Sequence, residues 1–345
     1  MFCLIKIFLR TNHRLGIVFG AQTDTYLISS LPKNKKSMKR LSMRKVSLIL
    51  AGTFLFSVAM TSCSKDDTPD VDLPDIGGYS SSDSVAAANL LAHWTFDGNA
   101  NESMSSTAPS TSLRSSFETG IKGQALKLDS GYVLYPTIAA LNKTNLGSVT
   151  VSTWINTENQ GEGSKPTGVF ALALEGAAQT DWNSGPVNMS LENGRPKTYN
   201  DTLVLKTLFA TYPNGARLGG DNINDFGERG TDFQTVLGAN KWVNFVMRYD
   251  GTGSFLDIYA NGVRVSNNKF RFRDNAGVGL GPIVVPGPTQ VLIGGFPNNT
   301  NGFSASPLQD FQGLYRGLID EVRVYDKALS DDEISALYEL ELAGR

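Results

Sequence analysis

From Leu90 onward, the sequence is a series of short apolar or alternating runs separated by turn-forming residues. Each run is bounded by Gly, Asn, Asp or Pro, a pattern typical of the strands of an all-β domain. The predicted strands are 90–96, 124–128, 148–155, 168–174, 202–212, 242–249, 255–260, 291–294 and 317–325. Many short strands accompanied by a single short helix predict a jelly-roll β-sandwich of two antiparallel sheets.

The last predicted strand leads directly into the helix, within "GLIDEVRVYDKALSDDEISALYEL" (317–340). Residues 318–325 alternate between two faces, which predicts a sheet covered mainly on one side: one face has Leu318, Asp320, Val322 and Val324, and the other has Ile319, Glu321, Arg323 and Tyr325. Ser330 and Glu333 have the spacing of a capping box, and Leu329 and Ile334 that of a hydrophobic staple. We therefore predict a helix that begins immediately after Ser330.

Residues 1–62 have the features of an export signal. Three basic residues (Arg40, Arg44 and Lys45) precede an apolar run over 46–60, which is short for a membrane span and suits a secretory signal. Small residues then precede Cys63, as in the lipobox of bacterial lipoproteins, in which this cysteine is lipidated. The resemblance implies a lipid anchor at Cys63, while an ordinary signal peptide and a single membrane anchor remain open.

Residues 63–87 are rich in Asp, Ser, Pro and Gly and predict a flexible tether. Its acidic start resembles the export signal of surface-exposed lipoproteins in some Gram-negative bacteria. That resemblance implies a lipid-anchored protein of the outer membrane that faces the cell exterior. Residues 88–345 follow as one folded domain, because they contain no internal repeat and no second linker.

Charge and cysteine content narrow the function of the exported part. Residues 1–63 contain 10 of the 31 Lys and Arg but 1 of the 33 Asp and Glu, so 64–345 carry a net charge of −11 (21 − 32). Nucleic acid is therefore not an expected partner, since phosphate binding needs clustered positive charge. The two cysteines are Cys3 and Cys63, so disulfides within the domain are excluded and its stability must come from a large core.

Seven segments of the domain occur in a characteristic order: "HWTFDGNANES" (93–103), "GIKGQALKLDSGYV" (120–133), "GSVTVSTWI" (147–155), "KWVNFVMRYDGTG" (241–253), "LDIYANGV" (256–263), "VLIGG" (291–295) and "GLIDEVRVYDKALSDDEISALYE" (317–339). Together they resemble the laminin G-like jelly-roll domain of the concanavalin A-like lectin/glucanase superfamily. The resemblance implies that the first and last strands are neighbours in one sheet. It also implies that the terminal helix packs across an edge or end of the sandwich.

The sequence favours a non-catalytic domain within this superfamily. Its glucanases use carboxylates in a Glu-x-Asp-x-x-Glu pattern, which this sequence lacks. His93 is the one histidine outside the leader and has no nucleophile motif near it, so a hydrolytic triad is not predicted and His93 is interpreted as a structural strand residue. A glycoside hydrolase or lyase with unrecognised acids in long loops remains the alternative.

A structural calcium ion is a further hypothesis. "FDGNAN" places oxygen-bearing side chains at alternate positions, which suits Ca²⁺, and the resemblance implies that Asp320 approaches this turn. The predicted ligands are Asp97, Asn99 and Asp320. The alternative is that "DGN" is a plain turn and Asp320 a hydrogen-bonded buried acid.

Carbohydrate is the partner that the resemblance implies. Two long polar regions, 156–195 and 212–240, contain aromatic and hydrogen-bonding residues of the kind that line small-ligand sites. "KFRFRD" (269–274) alternates Phe and Arg, so its arginines would project from one face towards an acidic or sulfated ligand. The predicted ligand-binding residues are Trp182, Arg195, Tyr199, Asp221, Asn224, Arg229, Arg271 and Arg273. Laminin G-like domains also bind proteins, so a protein-adhesion module remains open, and a loop-anchoring role competes at each residue.

Overall fold

The computed structural model of the chain describes residues 73–194, 200–225 and 234–345. Its strands are β1 (Leu90–Trp94), β2 (Thr111–Thr119), β3 (Gln124–Leu134), β4 (Asn145–Gly147), β5 (Val149–Asn156), β6 (Thr167–Leu174), β7 (Val187–Leu191), β8 (Leu205–Thr211), β9 (Leu218–Ile223), β10 (Val243–Asp250), β11 (Phe255–Ala260), β12 (Val263–Arg264), β13 (Asp274–Asn275), β14 (Val278–Gly279), β15 (Ile283–Val284), β16 (Thr289–Ile293) and β17 (Tyr315–Tyr325). One α-helix, α1 (Asp331–Leu342), follows, and short 3-10 segments span Ser82–Ser84, Ala87–Asn89, Ala139–Leu141, Gly176–Ala178 and Asn268–Phe270.

Thirteen of the described strands form one curled antiparallel sheet. Its order is β12-β11-β10-β5-β17-β3-β16-β6-β7-β8-β9, with β1 paired to β17 and β2 to β3. The Phe209 ring of β8 stacks on the Tyr249 ring of β10 with centroids 4.0 Å apart, although these strands lie far apart in the sheet order. The sheet therefore folds back on itself into two layers around one apolar core, which confirms the predicted all-β jelly-roll sandwich.

β17 is the strand that joins the layers. It pairs with β1, β3 and β5, which confirms that the first and last strands are neighbours. The predicted strict alternation is wrong at its centre, where a bulge separates Asp320 from Arg323 and Glu321 has a positive φ of 45°. Ile319 and Val322 consequently both join the core, because an extra residue in a bulge shifts the later side chains to the opposite face.

The helix has the predicted cap and covers one face of the sheet next to its β12 edge. The Ser330 hydroxyl accepts a hydrogen bond from the Glu333 amide at 3.1 Å, and Glu333 accepts one from the Ser330 amide at 2.8 Å. α1 packs on the outer face of β10, β11 and β17, with its apolar stripe against Val246, Tyr259 and Tyr325, and it also contacts the edge strand β12. The outer surface of β10, β11 and β17 is therefore buried beneath the helix.

Each of the nine predicted segments contains a strand. Three strands of five or more residues, β2, β7 and β9, were not predicted. β2 is mostly exposed and polar and pairs with β3 alone, so it lacks the apolar pattern that hydrophobic periodicity detects. β7 and β9 lie inside the two regions expected to be loops. "KFRFRD" does not form one strand: Lys269 and Phe270 belong to the 3-10 segment Asn268–Phe270, Phe272 makes an isolated bridge to Phe255, and Asp274 begins β13.

Candidate functional site

Three aromatic rings form one wall of a surface cleft, which we call the aromatic cleft. Trp182 follows β6, Phe296 follows β16 and Phe311 precedes β17. The Trp182 ring lies 5.3 Å from Phe296 and 5.6 Å from Phe311, edge to face in both cases, and the two phenyl rings are 5.7 Å apart. Such edge-to-face packing stabilises the rings as a unit. The cleft has a volume of about 390 Å³.

Hydrogen bonds fix the loops that hold these rings. The Asp181 carboxylate accepts from the Trp182 amide at 2.7 Å and from the side-chain amide of Gln309 at 2.8 Å. The Phe296 carbonyl accepts from the side chains of Asn298 at 3.0 Å and Asn301 at 2.8 Å. The wall is therefore set in place by its own loops, which lowers the entropic cost of binding a ligand.

Strands β7 and β8 contribute the polar part of the lining of the aromatic cleft. Alternation along β7 and β8 directs Met189 and Leu205 into the core and leaves Ser190 and Lys206 to line the cleft. The Lys206 ammonium donates to Glu192 at 2.6 Å and lies 3.2 Å from the Asp221 carboxylate. Aromatic rings and fixed hydrogen-bonding groups in one cleft suit a ligand with C–H surfaces and several hydroxyls.

Two of the sequence-predicted ligand residues meet at this cleft. Trp182 lines it, and Asp221, whose side chain is 45% exposed, reaches its edge through Lys206. Asn224 is fully buried instead. Its side chain accepts from the Leu205 amide and donates to the Gln234 carbonyl, both at 2.7 Å, so it anchors a loop. Arg195, Tyr199 and Arg229, like the lipidation site Cys63, lie outside the described residues.

The arginines of "KFRFRD" lie away from the aromatic cleft and have different neighbours. The Arg271 guanidinium donates to Asp257 at 2.6 and 3.1 Å and lies 5.4 Å from the Phe255 ring. The Arg273 guanidinium packs against Gly220 of β9, where a Cβ atom would lie 1.9 Å from it. Their role as ligand contacts stays a prediction.

The predicted calcium ligands all use oxygen atoms to accept backbone amides. Asp97 accepts from the Gln124 amide at 2.7 Å, and Asn99 accepts from the Asn101 amide at 2.8 Å. Asp320 is fully buried and accepts from the amides of residues 121, 122 and 321 at 2.9, 3.2 and 2.9 Å. Burial raises the pKa of Asp320 to about 8 even though these amides act to lower it.

This arrangement does not fit a cation held by all three side chains, because amide donors already occupy positions where a cation would bind. Among residues 73–194, 200–225 and 234–345, no three His, Cys, Asp or Glu side chains cluster as potential metal ligands. Asp97 and Asp320 both accept amides from the turn 120–124, a segment that the sequence did not single out as part of this site. Calcium binding stays a prediction, and the proposed function does not depend on it.

A buried ionic cluster lies beneath α1, far from the aromatic cleft in the sheet order. We define this buried cluster as His93, Glu321, Arg323 and Glu341, with the exposed Asp83 at its rim. The Arg323 guanidinium donates to Glu341 and to Glu321, each at 2.8 Å, and lies 2.8 Å from Asp83. His93 contacts Glu321 at 2.8 Å, so the histidine is part of this cluster. Burial raises the pKa of Glu341 above its usual value, against the effect of Arg323.

Sequence reasoning missed most residues of the aromatic cleft. Phe296 and Phe311 stand in Gly-, Asn- and Pro-rich segments, and Lys206 stands in a strand predicted from its apolar residues. The available signal was the unusual number of aromatic residues in polar loops, which drew attention to Trp182 but not to its partners. Within the part of the chain that the structure describes, no helix has the length and apolar character to cross a membrane.

The architecture defines the class of the domain: an all-β, concanavalin A-like sandwich with a terminal helix. Residues 221–335 match the family model of the concanavalin A-like lectin/glucanases superfamily, which confirms the resemblance over that segment. No curated protein sequence matches the chain.

Solved structures with a similar fold include domain 4 of an extracellular arabinanase from Geobacillus stearothermophilus, in complex with arabinotriose (18% identity, 72% of this chain and 98% of that one, TM-score 0.44). The binding domain of botulinum neurotoxin DC, in complex with SialylT, is similar at 11% identity over 74% of this chain and 51% of that one, with a TM-score of 0.47. A Trypanosoma rangeli sialidase is similar at 13% identity over 74% and 33%, with a TM-score of 0.43. These similarities concern the overall fold alone.

Proposed function

We propose that this chain is a surface lipoprotein whose domain binds a glycan, without cleaving it, in the aromatic cleft. The observation that carries the proposal is that the packed rings of Trp182, Phe296 and Phe311 line the same cleft as the Lys206–Glu192 ion pair. A sugar ring has an apolar C–H face and a rim of hydroxyls, and this cleft offers a partner to each. Clefts of this size and mixed character are typical of small-ligand sites.

The balance of charges in the aromatic cleft supports binding rather than hydrolysis. Glycosidases of this kind need two carboxylates placed on either side of the scissile bond. Here Glu192 and Asp221 both lie against the same ammonium group of Lys206, so the two carboxylates flank a cation instead of a substrate bond. The acids therefore act as fixed hydrogen-bond acceptors for hydroxyls.

Replacing Trp182 by alanine is expected to weaken glycan binding by about 2 kcal/mol, or roughly thirtyfold, because a central aromatic contact is removed. Binding would be measured on a glycan array, followed by calorimetry with the glycans bound most strongly. Phe272→Ala is the matched control, since Phe272 is an exposed aromatic residue outside the cleft. Thermal melting establishes that both variants are folded.

Equal binding by the parent and the Trp182→Ala variant would contradict the aromatic cleft as the site. An array without any bound glycan, on folded protein, would contradict glycan binding and favour a protein partner. Cleavage of a bound glycan that is lost on substitution of Glu192 or Asp221 would favour the hydrolase alternative.

The lipid anchor of the proposal rests on the sequence around Cys63 and on the acidic tether that follows it. Cys63→Ser is expected to abolish incorporation of radiolabelled palmitate in bacterial cells, because serine lacks the thiol that carries the lipid. The variant should also be lost from the outer-membrane fraction, whereas Ser64→Ala should behave as the parent does. Unchanged labelling of the Cys63→Ser variant would rule out this anchor.

A further inference from the structure

Two more clefts adjoin the aromatic cleft along the segment 157–166, which connects β5 to β6. A narrow cleft of about 20 Å³ shares Ser164 with the aromatic cleft. A wider cleft of about 400 Å³ shares Thr157, Glu158 and Arg316 with the narrow one. The shared residues make the three clefts neighbours, with the narrow one between the two wide ones, and we call them together the long groove.

The two wide ends of the long groove have different chemistry. The aromatic cleft offers rings, whereas the far cleft offers Asn156, Asn240 and Arg316 as hydrogen-bonding side chains. At the far end, Gly317 lies directly against the Asn156 carbonyl, and a Cβ atom there would be 2.3 Å from that oxygen. Each end has a volume suited to binding part of a larger ligand.

A hydroxyl group without a partner stands where the aromatic and narrow clefts meet. The Ser164 side-chain oxygen is buried and has no hydrogen-bond partner among the described residues. Buried polar groups are nearly always paired, so an exception needs an explanation. The adjoining narrow cleft, of about 20 Å³, has room for one water molecule, which would pair with this hydroxyl while a ligand passes over it.

The charges along the long groove are balanced. Lys206 lies beside Glu192 and Asp221, and Lys127 pairs with Glu118. The Arg316 guanidinium lies 3.6 Å from Asp129 and 3.5 Å from Glu158. Lys165 also lines the narrow cleft, which makes four cations against five carboxylates. Among the described residues, the long groove therefore has no excess of the positive charge that a polyanionic ligand would require.

We propose that the long groove binds an uncharged polysaccharide chain of several sugar units, with one part in the aromatic cleft and another beside Arg316. This inference rests on the proposed function and specifies its ligand as an extended neutral chain. A ligand that contacts both ends gains binding free energy from each, so affinity increases with chain length until the long groove is filled.

The experiment measures calorimetric affinity of the full chain for oligosaccharides of increasing length, from disaccharide to octasaccharide. The probes are neutral arabinan, xylan, mannan and glucan fragments, with hyaluronan fragments as the anionic series. For the neutral series that binds, we expect affinity to increase about tenfold or more from disaccharide to hexasaccharide. Trp182→Ala should weaken binding of short and long fragments, whereas Arg316→Ala should weaken binding of long fragments alone.

Arg264→Ala is the matched control, because Arg264 is an exposed arginine on β12, outside the long groove. Affinity that does not depend on length, together with unchanged binding by Arg316→Ala, would overturn the long groove and leave the aromatic cleft as the site. Equal or tighter binding of hyaluronan fragments would overturn the neutral ligand. Absence of binding by every series and on the glycan array would overturn the proposed function itself.

Discussion

Replacing Arg323 by methionine is expected to lower the free energy of unfolding by about 3–5 kcal/mol, because its guanidinium neutralises two fully buried carboxylates. Arg323 hydrogen-bonds to Glu321 and Glu341, and all three side chains are shielded from solvent by α1. Methionine has similar length but no charge, so Glu341 would lose its ion pair and Glu321 would keep its contact with His93 alone. The melting temperature should fall by roughly 10 °C.

The control is Arg316→Met on the same strand, since the Arg316 side chain is 60% exposed and its ion pairs are long. That change should cost less than about 1 kcal/mol. The loss in Arg323→Met should also shrink towards about pH 5, because the two acids can then take up protons in the folded state. Similar urea-unfolding curves for both variants would show that the buried cluster contributes little to stability.

Asp257→Asn is expected to cost about 2–4 kcal/mol at neutral pH, because one buried carboxylate serves two arginines. Asp257 on β11 accepts from Arg271 at 2.6 Å, from Arg248 at 2.9 Å and from the Ser266 hydroxyl at 2.8 Å. Burial alone would raise the pKa of Asp257, but these hydrogen bonds outweigh it and hold the pKa below its usual value of 3.8. Asparagine keeps the shape and loses the charge.

The sign of the pH dependence follows from this lowered pKa. The stability that Asp257 contributes is present above pH 3.8 and is lost as the pH falls through its folded-state pKa. The difference in stability between parent and variant should therefore be largest near neutral pH and vanish in strong acid. Asp129→Asn, at a side chain that is 73% exposed, should be nearly neutral throughout. An equal loss in both variants, measured by urea unfolding, would contradict a special role for Asp257.

The sequence allowed the strands and the helix cap to be predicted because these features depend on local patterns. Alternation of apolar residues locates strands such as β11 and β16, and the spacing of Ser330 and Glu333 locates the start of α1. Local patterns do not reveal the bulge at Glu321, which reassigned the faces of β17. They also do not show that α1 covers the outer face. Arg323 is buried beneath this helix, whereas alternation alone would place it on the less covered side of the sheet.

The candidate site was harder to predict because its parts are distant in sequence. Trp182, Phe296 and Phe311 meet through three separate loops, and a single sequence contains no direct information on which loops touch. The same residue type also serves different ends: Asn224 anchors a loop, whereas Asn156 and Asn240 line the long groove. Polarity in a loop identifies candidates, and the packing around each residue then decides between ligand contact and loop anchoring.

β17 has a consequence for the order of folding. It pairs with β1, β3 and β5, yet it emerges after every other strand during synthesis or export. Contacts between residues so far apart in sequence form slowly, and until β17 arrives the edges of these three strands lack their partner. Nascent chains would therefore expose pairing-competent edges for most of their synthesis, and closure of the domain would wait for one of the last segments to become available.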